Sequence, residues 1–290
     1  MPEVALGIVT KNALRRLKPR LLRLVLASSL QVPYSLAIVI DDGTDATGQF
    51  IKSYLAQYGR DVVVARSPAD TRPSARQAAI DLFFQLTTGK GYLMFMDDDI
   101  ILRKGWWEEA SRLLNMPGVG EVWGIAYDVG DRPYYRAFAK SQVEYLVKAF
   151  YARGGTHDTV YRAEALRGIE IPGWCIIEDA FIHHYVNCRG FKSAVNTIGG
   201  LHLNPPMGRF KELLQMAYAK VRLLVEYGFD TDIEATAPIG EEYRALAEVN
   251  PLVALGYVTY AHVLKPIIRA LTGPGKCRRL THPEPNKHRQ

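Results

Sequence analysis

The feature that most constrains this chain is a pattern repeated through its first hundred residues. A short apolar run is followed by a segment with helical spacing, then by another apolar run. Val4–Val9, Tyr34–Ile40 (YSLAIVI), Asp61–Ala65 (DVVVA) and Tyr92–Met96 (YLMFM) read as strands, and Lys11–Leu30, Ala46–Tyr58 and Pro73–Leu86 as the helices between them. Pro19 starts or kinks the first helix, because proline lacks an N–H donor and clashes with the preceding turn. Strands without polar alternation are buried on both faces. Joined by helices, they form βαβ units, so the expected fold is α/β with a mostly parallel sheet flanked by helices. Ligands of such sheets bind beyond the carboxyl ends of the strands. Two acidic clusters fall at such ends: Asp41-Asp42-Gly43-Thr44-Asp45 after the second strand and Asp97-Asp98-Asp99 after the fourth. Both are expected to face one crevice.

The chain is 290 residues long and 48% hydrophobic, enough for one large domain or a domain with an appendage. Three cysteines (Cys175, Cys188, Cys277) are too few and too scattered for a disulfide scaffold, and none forms a C-x-x-C pair. The N-terminus runs straight into a strand pattern and lacks the parts of a signal peptide. The longest stretches without Asp, Glu, Lys or Arg are Leu24–Ile40 and Val249–Leu264. Ser28, Ser29, Gln31 and Pro33 interrupt the first, and the second is shorter than the roughly 18 residues of a spanning helix. The expected location is cytoplasmic.

The net charge of +6 is unevenly placed. Lys11–Arg23 holds six cations and no anion, and Lys265–Gln290 holds seven cations and one anion. The body between them is mildly acidic. Basic ends of this kind suit phosphates on a membrane surface or a nucleic acid, although a solvated charged face is equally consistent.

The later part of the chain is less regular. Gly154-Gly155-Thr156 and Gly199-Gly200 read as loops, which makes His202 a loop histidine. Ala180–Val186, Phe210–Tyr227, Glu241–Glu248 and Pro251–Leu271 read as helices, and Pro283–Gln290 as a frayed tail. His262, Lys265 and Arg269 share one side of the Pro251–Leu271 segment, a pattern that fits a membrane interface or packing on the domain. Residues 1–205 are therefore expected to form the catalytic domain and 206–290 a helical extension.

Adjacent carboxylates resist joint ionisation unless a cation neutralises them. At Asp97-Asp98-Asp99 a hard divalent ion does so, since Mg²⁺ or Mn²⁺ takes one or two carboxylates plus phosphate oxygens. The plainer reading is an acidic turn before the helix at Trp106–Leu114. Asp41-Asp42 can accept hydrogen bonds from a ribose or base, or simply end a strand with Thr44 or Asp45 as a helix cap. Glu178-Asp179 stands at a helix start, where carboxylates often act as caps. Metal ligation and ordinary hydrogen bonding are both open to His202. His183 and His184 are adjacent on a helix and point apart. No G-x-x-x-x-G-K-[ST], no G-x-G-x-x-G opening a helix and no G-x-S-x-G is present, which argues against P-loop hydrolysis, dinucleotide redox chemistry and α/β-hydrolase chemistry.

The joint order of these parts resembles the family-2 glycosyltransferases with the Rossmann-like GT-A fold. Residues 4–12 (VALGIVTKN) look like the opening strand and the loop under the nucleotide, 38–45 (IVIDDGTD) like the nucleoside-binding element, and 74–78 (SARQA) like the A-R-N segment. Residues 93–99 (LMFMDDD) look like the D-x-D strand, 154–167 like the acceptor-side glycine loop, and 173–190 like the E-D helix region. Gln77 stands where the family often has Asn, and the Q-x-x-R-W motif of processive synthases is absent, which favours transfer of one sugar.

The resemblance implies a metal-dependent, inverting transfer from a UDP- or GDP-linked sugar to an acceptor hydroxyl on a glycan or a lipid-linked acceptor. It implies Asp97, Asp99 and His202 as ligands of Mn²⁺ or Mg²⁺, and Thr10, Asp41, Asp42, Arg76, Asp97 and Asp98 around the nucleotide. Asp179 is implied as the general base, oriented by Glu178. With the basic ends, it points to peripheral contact with the cytoplasmic membrane face rather than to nucleic acid. The alternatives are a sugar-phosphate nucleotidyltransferase and a non-enzymatic protein binding nucleic acid or anionic lipid. Leu6-Gly7-Ile8-Val9-Thr10 lacks the glycine-rich basic loop usual in the former, and the acidic body speaks against the latter.

Overall fold

The computed structural model describes residues 3–128, 139–203, 210–233, 239–247, 251–272, 277 and 280. The expected tail Pro283–Gln290, the Pro205–Arg209 stretch and most of the basic end beyond residue 272 lie outside the described residues. The chain divides into two compact units, one of residues 1–129 with 154–206 and one of 130–153 with 207–290.

The first unit is the expected α/β layer. Its elements run β1 (Val4–Thr10), α1 (Ala13–Ser29), β2 (Leu36–Asp41), α2 (Thr47–Ala56), β3 (Asp61–Ala65), α3 (Arg72–Leu86), β4 (Tyr92–Met96), β5 (Ile100–Leu102), α4 (Trp106–Leu114) and β6 (Val119–Asp128). After α5 (Gln142–Arg153), which belongs to the second unit, come β7 (Asp158–Arg162), α6 (Ala163–Leu166), α7 (Glu178–Cys188) and β8 (Lys192–His202). The strands form one eight-stranded sheet in the order β3-β2-β1-β4-β7-β6-β8-β5. Pairs β1–β2, β2–β3, β1–β4 and β6–β8 are parallel, and β7 runs antiparallel to both β4 and β6.

The apolar runs behave as their composition demands. All of β4 is buried, and β1 is buried apart from one intermediate position. Leu17, Leu22, Val25 and Leu26 of α1 lie in the same core cluster as Leu6, Ile8, Met94 and Met96. Helix α1 is kinked where expected: Lys18, before Pro19, has φ 65° and ψ 153°, outside helical space. A residue preceding proline is pushed away from the helical region.

The strand order reverses around β1, since β2 and β3 build to one side and β4 to the other, all four running parallel. That reversal opens a crevice at the carboxyl ends of β1 and β4. Thr10 ends β1 opposite Asp41 of β2, and Asp97 follows β4 directly.

Gly199 and Gly200 do not form a loop; they lie within β8, and His202 is its last residue. Here β8 bulges against β6, so that Asn196 to Gly200 spans the same stretch as Gly124 to Ala126. Gly199 adopts φ 60°, and a Cβ there would stand 2.0 Å from the Ile125 carbonyl oxygen. A Gly-Gly pair breaks the alternation by which strands are read, so a bulge and a loop look alike in sequence.

The second unit holds α5, α8 (Phe210–Arg222) with a π-helical turn at Leu223–Tyr227, α9 (Ile239–Ala247), α10 (Pro251–Thr259), a π-helical turn at Tyr260–Leu264 and α11 (Lys265–Thr272). Ala139, Tyr145 and Ala149 form a small core with Leu146, Ile233, Leu246 and Tyr257 against it. Asp232 pairs with Lys220 at 2.6 Å and with Lys265 at 3.4 Å. No described helix is long and apolar enough to cross a membrane.

Gly199→Ala combines a left-handed backbone with a carbonyl clash and is expected to destabilise the first unit by about 2–4 kcal/mol. Urea unfolding followed by tryptophan fluorescence measures the loss.

Candidate active site

The turns after β1 and β2 are built on each other. Asn12 adopts φ 57°, a conformation asparagine tolerates, and its Oδ1 accepts the N–H groups of Thr44 at 2.8 Å and Asp45 at 3.1 Å. The turns approach so closely that a Cβ on Gly43 would lie 2.7 Å from the Asn12 nitrogen. Asp41 holds this turn through its side chain, accepting from Gly43 N–H at 2.9 Å and Gly48 N–H at 2.7 Å. The Asp42 carboxylate accepts the Ser67 N–H at 2.8 Å and the Ser67 hydroxyl at 2.7 Å. Asp41 thus anchors the backbone, while Asp42 is held from β3's end of the sheet.

The Asp97-Asp98-Asp99 cluster is balanced by two arginines. The Thr10 hydroxyl donates to Asp98 Oδ2 at 2.5 Å across the β1–β4 reversal. Arg16, in the first turn of α1, donates to Asp98 Oδ1 and, at 2.7 Å, to Asp99 Oδ2. Arg76, only 4% exposed on α3, lies over the Phe95 ring and donates to Asp97 Oδ1. Its Nε also stands 3.6 Å from Glu178 Oε1 at the start of α7. Arg76 therefore joins the aspartates after β4 to the Glu178-Asp179 pair, in the depth of the site.

Burial and charge set the protonation of these groups. Burial alone lifts Asp97, yet Arg76, with His157 and His202 farther off, brings it below the ordinary carboxylate value. Burial lifts Asp98 to about 6, against the pull of Arg16 and with the push of Asp99. Burial, reinforced by the neighbouring Asp179, raises Glu178 to about 7 despite Arg76. Asp179 is half-buried in the first turn of α7, and its Oδ1 accepts the Ala180 N–H at 2.9 Å.

His202 reaches the cluster from β8. Its Nε2 lies 3.6 Å from Asp99 Oδ1, too long for a hydrogen bond. Neighbouring ligands of an octahedral ion at about 2.1 Å stand about 3.0 Å apart, so Asp99 and His202 would have to close by about half an ångström to share one. Arg16 holds the opposite oxygen of Asp99, which leaves Oδ1 as the one facing His202. Among the described residues no three His, Cys, Asp or Glu side chains gather into a metal cage. An ion of the Mg²⁺ type, which fills its shell with water and substrate phosphate, requires none.

Several residues of the site have no motif of their own. His157 packs its ring beside His202, with centroids 6.3 Å apart, and its carbonyl accepts the Asp97 N–H at 2.8 Å. Its Nε2 faces the Trp123 indole N–H at 3.1 Å and its Nδ1 the buried Asp158 at 2.5 Å. An indole can only donate, so the imidazole proton sits on Nδ1. The Trp106 indole N–H holds the other Asp158 oxygen at 3.0 Å. No motif marks this group in the sequence, because Asp158 opens β7, where an acid reads as a turn residue. Arg16 is hidden among the cations of Lys11–Arg23, and only its position four residues after Asn12 marks it.

Residues 6–168 match the family model described as Glycosyl transferase family 2. The chain belongs to this family. Family membership decides for a glycosyltransferase over the nucleotidyltransferase and the non-enzymatic binding protein. Among solved structures, the mannosyltransferase PcManGT from Pyrobaculum calidifontis, in complex with GDP-Man and Mn²⁺, superposes with a TM-score of 0.59 at 15% identity, covering 94% of this chain and 76% of that one. S. aureus TarS 1-349 superposes with a TM-score of 0.52 at 13% identity, covering 91% and 73%. Its complex with UDP gives 0.51 at 14% identity, covering 93% and 83%. At such identities the glycosyltransferase shares a fold with these structures, and its chemistry rests on its own residues. No curated protein matches the sequence.

Because native Glu178 holds its proton more tightly than the unfolded chain does, its contribution is present below pH 4.5 and lost as pH rises towards about 7. Glu178→Gln removes this loss. The melting temperature of the Gln variant relative to wild type is expected to rise between pH 5 and pH 7.5.

Proposed function

We propose that this glycosyltransferase moves one sugar from a nucleoside-diphosphate sugar to an acceptor hydroxyl, with a divalent metal and inversion at the anomeric carbon. The observation that carries the reading is the Arg76 bridge from Asp97 to Glu178. It joins a phosphate-and-metal end, at the β1–β4 crevice, to an acceptor end at the start of α7.

Asp42, steadied by Ser67, receives the nucleoside at the end of β2. Asp99 and His202, with Asp97 beside them, hold Mn²⁺ or Mg²⁺, which when bound offsets the charge of the departing diphosphate. Asp179, the less buried of the two α7 acids, takes the acceptor hydroxyl's proton as the oxygen attacks the anomeric carbon. Glu178 lies deeper on Arg76 and fixes the start of α7, so that the base meets the hydroxyl in one orientation. A single displacement from the face opposite the leaving group inverts the configuration. The same family membership and the GDP-Man and UDP complexes of the superposed structures support a UDP- or GDP-linked donor.

The acceptor is a glycan or a lipid-linked saccharide. The helices over residues 251–272 support peripheral contact with the cytoplasmic membrane face. Leu252, Leu255, Val263, Ile267 and Leu271 are exposed along them, and Arg269 is exposed among them. Apolar side chains with flanking cations are the composition of an interfacial helix.

Asp99→Asn and Asp179→Asn are each expected to lower kcat/KM by about a hundredfold or more. Sugar transfer with Mn²⁺, measured by product formation, checks both, and full activity in either variant removes that residue's role. A thermal-shift comparison of UDP and GDP, with and without Mn²⁺, is expected to raise the melting temperature most for the donor's own base together with metal.

A further inference from the structure

We propose that Arg16 binds the diphosphate of the sugar donor. The proposal rests on the donor reading above and assigns a residue to it.

The charged wall of the β1–β4 crevice presents Arg16 outward. The Arg16 side chain is 34% exposed, whereas the Asp98 and Asp99 side chains beneath it are 5% and 10% exposed. A ligand arriving there meets a guanidinium before it meets a carboxylate. Ligands of a doubly wound sheet bind at this reversal of strand order, and the phosphates of a nucleotide usually meet the amides that open the next helix. In this chain three of the first four are engaged. Leu14 N–H donates to the Thr47 hydroxyl at 3.1 Å, Arg15 N–H to Asp45 at 3.2 Å and Arg16 N–H to the Asn12 carbonyl at 3.1 Å. Side-chain charge has to replace the helix N-terminus as the anion receptor.

Arg16 is suited to that task. Guanidinium carries five N–H donors in a planar fork that matches phosphate oxygens, and the two carboxylates use one from each terminal nitrogen. Thr10 holds Asp98 from the other side, and Asp98 in turn holds the guanidinium at the mouth of the crevice. Arg76 cannot serve here, because it is buried between Asp97 and Glu178.

Arg16 also lies on Asp99, the carboxylate assigned to the metal. Its charge repels a bare divalent ion and attracts a diphosphate, so its removal acts on the two ligands with opposite sign. A purely structural arginine would weaken both together. Arg16→Met and Arg16→Lys are compared with wild type by Mn²⁺ titration followed by electron paramagnetic resonance, and by calorimetric titration of UDP, GDP and the nucleosides uridine and guanosine.

In Arg16→Met, Mn²⁺ alone is expected to bind as tightly as in wild type or more tightly. The preferred nucleoside diphosphate is expected to bind about tenfold or more weakly, with its nucleoside unchanged. Arg16→Lys is expected to fall between, since it keeps the charge and loses the fork. Unchanged diphosphate affinity, or a parallel fall for metal and diphosphate, overturns the assignment. If Arg16→Met does not fold, Arg16→Lys decides: weaker diphosphate binding with Mn²⁺ binding intact supports the role, and unchanged diphosphate binding removes it. A wild type that binds neither UDP nor GDP instead overturns the donor reading on which the proposal stands.

Discussion

Charge compensation at the carboxyl ends of the central strands is the interaction on which the rest of the site depends. Three consecutive aspartates follow a fully buried strand, and Glu178 adds a fourth acid at depth. Removing one partner of such a buried pair costs about 3–5 kcal/mol, because the remaining charge is left without water or counter-charge. Two arginines from separate helices prevent this. Arg16 takes Asp98 and Asp99 from the mouth, and Arg76 takes Asp97 and Glu178 from within.

The two arginines divide the site by accessibility as well as by partner. Arg76 is enclosed and stacked on Phe95, so it behaves as a fixed brace between strand end and helix start. Arg16 has its backbone fixed by the first turn of α1 and its guanidinium in contact with solvent. A brace at the bottom and a cation at the top suit a reaction that releases a diphosphate: the carboxylates keep their geometry while charge changes in front of them. The His157–Asp158 pair provides a similar support on the other flank, with both imidazole nitrogens engaged and the ring face turned to His202.

Much of the α/β unit was legible before any coordinates. The apolar runs at Val4, Tyr34, Asp61 and Tyr92 became β1 to β4, and Pro19 marked the kink in α1. Both acidic clusters stand at strand ends because a strand buried on two faces readily changes to charged residues where it leaves the sheet. The later strands were less visible. β6 contains Glu121 and β7 contains Asp158, each buried with hydrogen-bond partners from distant segments. β8 carries the glycine bulge that reads as a loop. Polar residues and glycines erase the periodic signal, and their fitness for a strand depends on partners far away in sequence.

The sequence by itself determined the first four strands of the sheet, the two acidic clusters at their ends and the family. These follow from local hydrophobic pattern and from the order of short motifs, which need no knowledge of what lies opposite. Only the tertiary structure decided which carboxylate does what. Asp41 and Asp42 are adjacent and identical in type, yet one caps a turn and the other rests on Ser67; Arg16 and its basic neighbours look alike, yet Arg16 is the one that reaches Asp98 and Asp99. Charge roles of this kind arise from pairs separated by tens of residues, and electrostatic energy depends on distance and burial, which the fold alone sets.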